Sequence, residues 1–110
     1  MLAVNGQARI FVREGATDLR KGFEGLFGIL SLSLSREFLD NTYFAFINRK
    51  RDRMKVLYWD GDGFVIWYKR LEKGIFSRKI RSSNQITRRE FFMLLEGVTP
   101  KRLQSRYNLV

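Results

Sequence analysis

The stretch from Tyr43 to Arg70 constrains this chain more than any other part of it. Three runs within it read as strands: Tyr43 to Asn48 (YFAFIN), Met54 to Trp59, and Phe64 to Arg70. Each is rich in the aromatic and branched residues that suit a pleated, half-buried surface. Only short connections separate them. Arg49 to Arg53 is the first, and Asp60-Gly61-Asp62-Gly63 is the second. Asp-Gly pairs tolerate positive φ and so close tight turns. Strands joined this closely imply an antiparallel meander. The expected fold is therefore α+β, with a small antiparallel sheet of about four or five strands. One long helix in the N-terminal half and one short C-terminal helix complete it.

The flanking segments supply those other elements. Gln7 to Arg13 alternates Ala8, Ile10 and Val12 with Arg9, Phe11 and Arg13, the pattern of a first strand. Thr17 or Asp18 is placed to cap a helix. Behind them Leu19, Phe23, Leu26, Phe27, Leu30 and Leu34 recur at helical spacing. Gly22, Gly25 and Gly28 interrupt that stripe, each costing up to ~1 kcal/mol relative to Ala. Either another backbone approaches there or the helix is short. Ser35 to Thr42 reads as a polar loop, and Ile75 to Ile80 as a further strand. Thr87-Arg88-Arg89-Glu90 matches a capping box. It precedes an apolar face of Phe91, Phe92, Leu94, Leu95 and Val98, which Gly97 and Pro100 end. The whole chain of 110 residues makes one domain. Its ordered core is expected over about residues 7–98, with a loose basic tail over 101–110.

Composition narrows the function. The chain is 45% hydrophobic and 15% aromatic, enough to bury a core. Its formal charge is +10 at pH 7, with +4 in the first 55 residues and +6 in the rest. The whole domain is basic, without an appended arm, so a polyanionic partner is expected. Cysteine and histidine are both absent. That removes thiol chemistry, thiolate metal sites and the usual near-neutral acid/base group. A hydrolase triad of the common type is excluded with them. GFEGLFG (Gly22 to Gly28) lies inside a helical pattern and is not a dinucleotide fingerprint. MLAVNGQARI has no signal-peptide pattern, and no apolar run approaches ~20 residues. The expectation is a cytoplasmic protein.

The candidate binding residues are cationic. Arg49, Lys50, Arg51, Arg53 and Lys55 surround one carboxylate, Asp52. A hairpin tip bearing such a cluster can follow a phosphate backbone, with affinity that falls steeply with salt. A solvated loop is the plain alternative. Arg20 and Lys21 fall in the first turn of the expected helix, where cations oppose the dipole. A broken local rule can mark function, and Asp18 can also compensate through capping and pairing. Lys69 and Arg70 extend the basic set. Tyr58, Trp59, Trp67 and Tyr68 lie on strands flanking one turn, with Trp and Tyr of each pair on opposite sheet faces. One face packs the core, and the other can stack bases or dock a protein. Asp60 and Asp62 form an ordinary turn rather than a metal pair. Glu14, Asp18, Glu24, Asp60 and Glu72 show no grouping, so neither metal nor cofactor is called.

Four motifs in order carry a family resemblance. Asp18-Leu19-Arg20-Lys21-Gly22-Phe23-Glu24-Gly25-Leu26 is the first, and Lys55 to Phe64 (KVLYWDGDGF) the second. Lys69-Arg70-Leu71-Glu72-Lys73-Gly74 and Leu94-Leu95-Glu96-Gly97 follow. Together they resemble the TnpB-type second open reading frame product of the bacterial insertion-sequence family sixty-six. The resemblance runs from about Ile10 to Gly97. It implies a non-catalytic accessory protein of transposition, working beside a separate catalytic transposase. Asp18, Arg20, Lys21, Gly22, Lys55, Trp59, Asp60, Gly63, Lys69, Arg70, Glu72 and Gly74 carry over as family residues without assigned roles. Trp67 joins them as a candidate partner contact.

The function expected is assistance to DNA transposition by binding transposon DNA, the transposase, or both. The rival is a protein-interaction module that docks on the transposase without touching DNA. A small metal-dependent nuclease ranks last.

Overall fold

The computed structural model describes residues 2–30, 36–77 and 84–98. Five strands form one sheet: β1 (Arg9–Val12), β2 (Thr42–Ile47), β3 (Arg53–Trp59), β4 (Phe64–Arg70) and β5 (Gln85–Ile86). Their spatial order is β4-β3-β2-β1-β5. β2, β3 and β4 pair antiparallel through the two short turns, as their spacing predicts. β1 departs from the expectation. It runs parallel to β2, with Ile10 opposite Tyr43 and Val12 opposite Ala45. The sheet is therefore mixed rather than a pure antiparallel meander. A parallel pair needs a crossover, and residues 13–41 supply it together with helices that cover one face. β5 closes the far edge antiparallel to β1.

The helical stripe yields less helix than its periodicity predicts. α1 spans Phe23–Ile29, seven residues, and its N-cap is Gly22 rather than Thr17 or Asp18. Arg20 and Lys21 thus precede the helix and do not oppose its first turn. Among the described residues a Cβ at Gly22 or Gly28 would meet nothing within 4 Å, and the atoms nearest one at Gly25 belong to the Lys21 side chain. Among the described residues no backbone atom is nearest to any of these positions, and the helix is short. The expected polar loop after Ser35 contains a further turn of helix, α2 (Arg36–Leu39), and the first residue of β2. Thr42 anchors it, its hydroxyl donating to the Phe38 carbonyl.

α3 (Arg88–Glu96) forms as its capping box dictates. Thr87 Oγ1 accepts from the Glu90 N–H at 3.1 Å, and Glu90 Oε1 accepts from the Thr87 N–H at 2.9 Å. Of the expected strand over Ile75 to Ile80, Ile75 makes an isolated antiparallel bridge to Val98. Residues 78–80, Leu34, Pro100 and the expected 101–110 tail lie outside the described residues.

The sheet separates two apolar clusters. One face joins Ile10, Val12, Ala45, Met54 and Val56 to Phe91, Leu94 and Leu95 of α3. The other joins Phe44, Phe46 and Leu57 to Leu19 and Leu26 of the α1 side. β2 lies between the clusters, which explains why YFAFI reads as an unbroken apolar run. Phe46, Phe76 and Phe91 are wholly buried. Each contributes about 1.5–3 kcal/mol of apolar transfer.

Candidate nucleic-acid interface

The basic cluster sits on the turn between β2 and β3, and Asn48 shapes that turn. Its side-chain oxygen accepts from the N–H groups of Asp52 at 3.1 Å and Arg53 at 3.0 Å. Its amide donates to the Asp52 carboxylate at 2.7 Å. That donated hydrogen bond outweighs desolvation and holds the Asp52 carboxyl below its ordinary range, with Arg53 and Lys50 assisting. The cluster's one carboxylate is thereby committed to the turn. Arg51 is committed as well. It adopts a left-handed backbone with φ of 62°. Its Nε donates to the Phe76 carbonyl at 3.0 Å, and its own carbonyl accepts from the Phe76 N–H at 2.7 Å. Arg49, Lys50 and Arg53 remain exposed.

A second loop, Ala16 to Lys21, faces this turn. The Thr17 N–H donates to the Ile47 carbonyl at 2.8 Å, and buried Leu19 anchors the loop in the α1-side core. Asp18 Oδ1 accepts from the Arg20 N–H at 3.0 Å. The same carboxylate binds the Arg20 guanidinium at 2.7 Å. The hydrogen bonds from Arg20 hold the Asp18 carboxyl far below the usual carboxylate range. Arg20 itself is 91% exposed along its side chain.

Lys55 ties the two loops to the sheet. Its Nζ donates to the Lys21 carbonyl at 2.9 Å and lies 5.1 Å from the centre of the Tyr68 ring. Between the loops is a notch of about 780 Å³, lined by Asp18, Arg20, Asn48, Arg49, Lys50, Asp52, Arg53 and Tyr68 among others. Four cations face two carboxylates there, so the lining is net positive. Arg53 lies directly opposite Arg70 on β4. Like charges in that register repel, and Glu72 relieves Arg70 with an ion pair at 3.1 Å.

The structure thus brings Asp18, Arg20, Arg49, Lys50 and Arg53 to one notch, with Lys21, Lys55 and Arg70 adjoining it. It places Lys69 elsewhere. Lys69 points to the opposite face and its Nζ donates to the Leu95 carbonyl at the end of α3, at 2.8 Å. Trp59 packs edge-on against Phe64 with ring centres 5.1 Å apart. Trp67 packs half-buried against the α3-side core. Both tryptophans therefore serve packing, on opposite faces. Asp60 and Gly63 close the β3–β4 turn, the Asp60 N–H donating to the Gly63 carbonyl at 3.0 Å. Gly74 adopts φ of 85°, a backbone that favours glycine.

Charge-based reading misses the uncharged lining of the notch, Asn48 and Tyr68 among it. Asn48 falls four residues before Asp52 in a turn segment, a pattern that side-chain-to-backbone turn bonding explains. Among the described residues, no group of three or more potential metal ligands converges. No described helix is long and apolar enough to cross a membrane.

Fold and notch together define a small basic α+β domain that presents cations from two facing loops. Residues 8–105 match the family described as IS66 Orf2 like protein, and the chain belongs to that family. Membership makes it a transposition-associated accessory protein. It is similar to the protein y4jC of Sinorhizobium fredii, with 28% identity over 108 residues, covering 96% of this chain and 92% of the relative. It is also similar to y4hO of the same organism, with 34% identity over 76 residues, covering 69% and 66%. No solved structure matches it.

Proposed function

We propose that this protein assists transposition without catalysing a step, by gripping transposon DNA through the notch between the Asp18–Lys21 loop and the β2–β3 turn. The supporting observation is the convergence of Arg20, Arg49, Lys50 and Arg53 on one concavity from two separate segments of the chain. Guanidinium groups suit phosphate oxygens through paired donors, and Lys50 adds a point charge. The catalytic transposase of the same element is the protein partner in this reading. Among the described residues the exposed large hydrophobics Phe23, Tyr68 and Met93 lie on three different elements. That distribution favours DNA over an extended apolar protein interface as the notch's ligand.

Fluorescence anisotropy across a salt series tests the proposal. One labelled duplex carries the element's terminal repeat, and another a scrambled sequence. Binding with a log–log salt slope of about −3 to −4 is expected from four phosphate contacts. The variant Arg49→Glu, Lys50→Glu, Arg53→Glu spares the structural Arg51 and should abolish retention while its far-UV circular dichroism stays native. Unchanged binding by that variant would refute the assignment. Absence of binding by the native protein would move the cations onto an acidic face of the transposase.

A further inference from the structure

The notch contains more than charge. Tyr68 lies among its lining residues and is 49% exposed, on the aromatic-rich edge strand β4. A core tyrosine would be covered, and a surface strand position tolerates smaller polar residues equally well. Its surroundings are specific. Lys55 stands opposite it on β3, and Arg53 and Arg70 face each other one step further toward the hairpin tip on the same sheet face. A half-exposed aromatic ring with the Lys55 ammonium 5.1 Å from its centre and two arginines beside it can stack a base and hold its phosphate. The ring lines a concavity bounded by two loops, and a base must leave its own stack before it can lie flat on that ring. The concavity, about 780 Å³ and open to solvent, has room for a nucleotide.

We infer that the notch receives an unpaired nucleotide, with the base on Tyr68 and the adjacent phosphates on Arg53 and Arg20. The ligand class is single-stranded or locally melted DNA, in preference to intact duplex. This rests on the DNA-binding reading above and specifies the strand state that reading leaves open. Lys55 acts as a positioning residue, since its ammonium holds the Lys21 carbonyl and flanks the ring. Sequence preference is expected to be weak, because every base offers a π-face.

The test compares a labelled oligothymidylate with a blunt duplex of equal length, by anisotropy, for four proteins. The native chain should bind the single strand more tightly. Tyr68→Leu should weaken the single strand by about 5- to 100-fold and leave the duplex unchanged, the range that loss of one stacked base commands. Tyr68→Trp should keep single-strand affinity and show quenching of the added indole on binding. The Arg49→Glu, Lys50→Glu, Arg53→Glu variant should lose both ligands. If Tyr68→Leu binds both ligands like the native chain while the charge reversal removes both, the nucleotide inference falls and the DNA reading survives. If the native protein binds neither, both fall. Thermal melting of Tyr68→Leu checks its fold, and Tyr68→Trp provides the comparison should that variant be unstable.

Discussion

At the scale of single residues, the notch depends on groups whose charge is internally managed. Asp18 is the clearest case. Its carboxyl titrates below the ordinary value of 3.8 because Arg20 donates to it from both side chain and backbone. A depressed carboxyl contributes stability above its unfolded value and loses that contribution as pH falls through the folded one. The Asp18–Arg20 tie is therefore intact at neutral pH and fails only in strong acid. Carboxyl-carbon NMR should show Asp18 still ionised where ordinary aspartates are half protonated. In Arg20→Gln the Asp18 midpoint should move up toward the ordinary value. Arg51 makes a different point. Its left-handed backbone costs about 1–2 kcal/mol in any residue with a Cβ. Arg51→Gly and Arg51→Ala both lose the bond to the Phe76 carbonyl, but only glycine relieves the backbone. Urea unfolding should find Arg51→Gly more stable than Arg51→Ala by about 1 kcal/mol. A basic residue in a basic cluster can thus be structural, and charge in the sequence does not distinguish it from Arg49 or Arg53.

At the scale of elements, local signals succeed where local physics decides. The capping box of α3 satisfies two helix-end donors within four residues, so Thr87-Arg88-Arg89-Glu90 announces the helix unaided. Thr87→Ala should cost about 1 kcal/mol by chemical denaturation. The turns flanking β3 are legible for the same reason. α1 is the counterexample. Its apolar stripe includes residues that reach the core, Leu26 from the helix and Leu19 from a loop ahead of it, but also Phe23, which is exposed. Periodicity does not set the helix length, and Gly22, Gly25 and Gly28 tip the backbone toward a shorter helix. Lys69 belongs at this scale too. It meets the carbonyl end of α3, where a cation is favoured. Lys69→Met should lower stability by about 1 kcal/mol and leave DNA affinity unchanged, as unfolding and anisotropy on one preparation will show. Reading Lys69 as a DNA contact follows its charge, but its strand parity sends it to the other face.

At the scale of the whole molecule, the formal charge of +10 shapes behaviour more than shape does. Self-repulsion destabilises the free fold, and a neutralising polyanion relieves it. Ligand present at a hundredfold excess over its Kd adds about 2.7 kcal/mol to stability. Saturating DNA should therefore raise Tm by several degrees in differential scanning calorimetry, and the Arg49→Glu, Lys50→Glu, Arg53→Glu variant should show no such rise. The two-faced packing of the sheet matters here as well. α3 packs on one face and the α1 side on the other, and the cationic loops project from one end of the sheet, beside half-exposed Tyr68 on the edge strand β4.

The sequence by itself determined the β2–β3–β4 meander, the C-terminal helix, the basic character and the family motifs, because each is encoded within a few neighbouring residues. Alternation, turn chemistry and capping act over short chain separations, where the number of competing arrangements is small. Tertiary structure alone decided that β1 joins parallel to β2, that β5 closes the edge, and that the Asp18–Lys21 loop faces the Arg49–Arg53 turn. Those pairings link residues about thirty or more positions apart, and their energy comes from burying both faces of the sheet at once. The notch exists only because of them: its cations were visible in the chain, and their convergence was not.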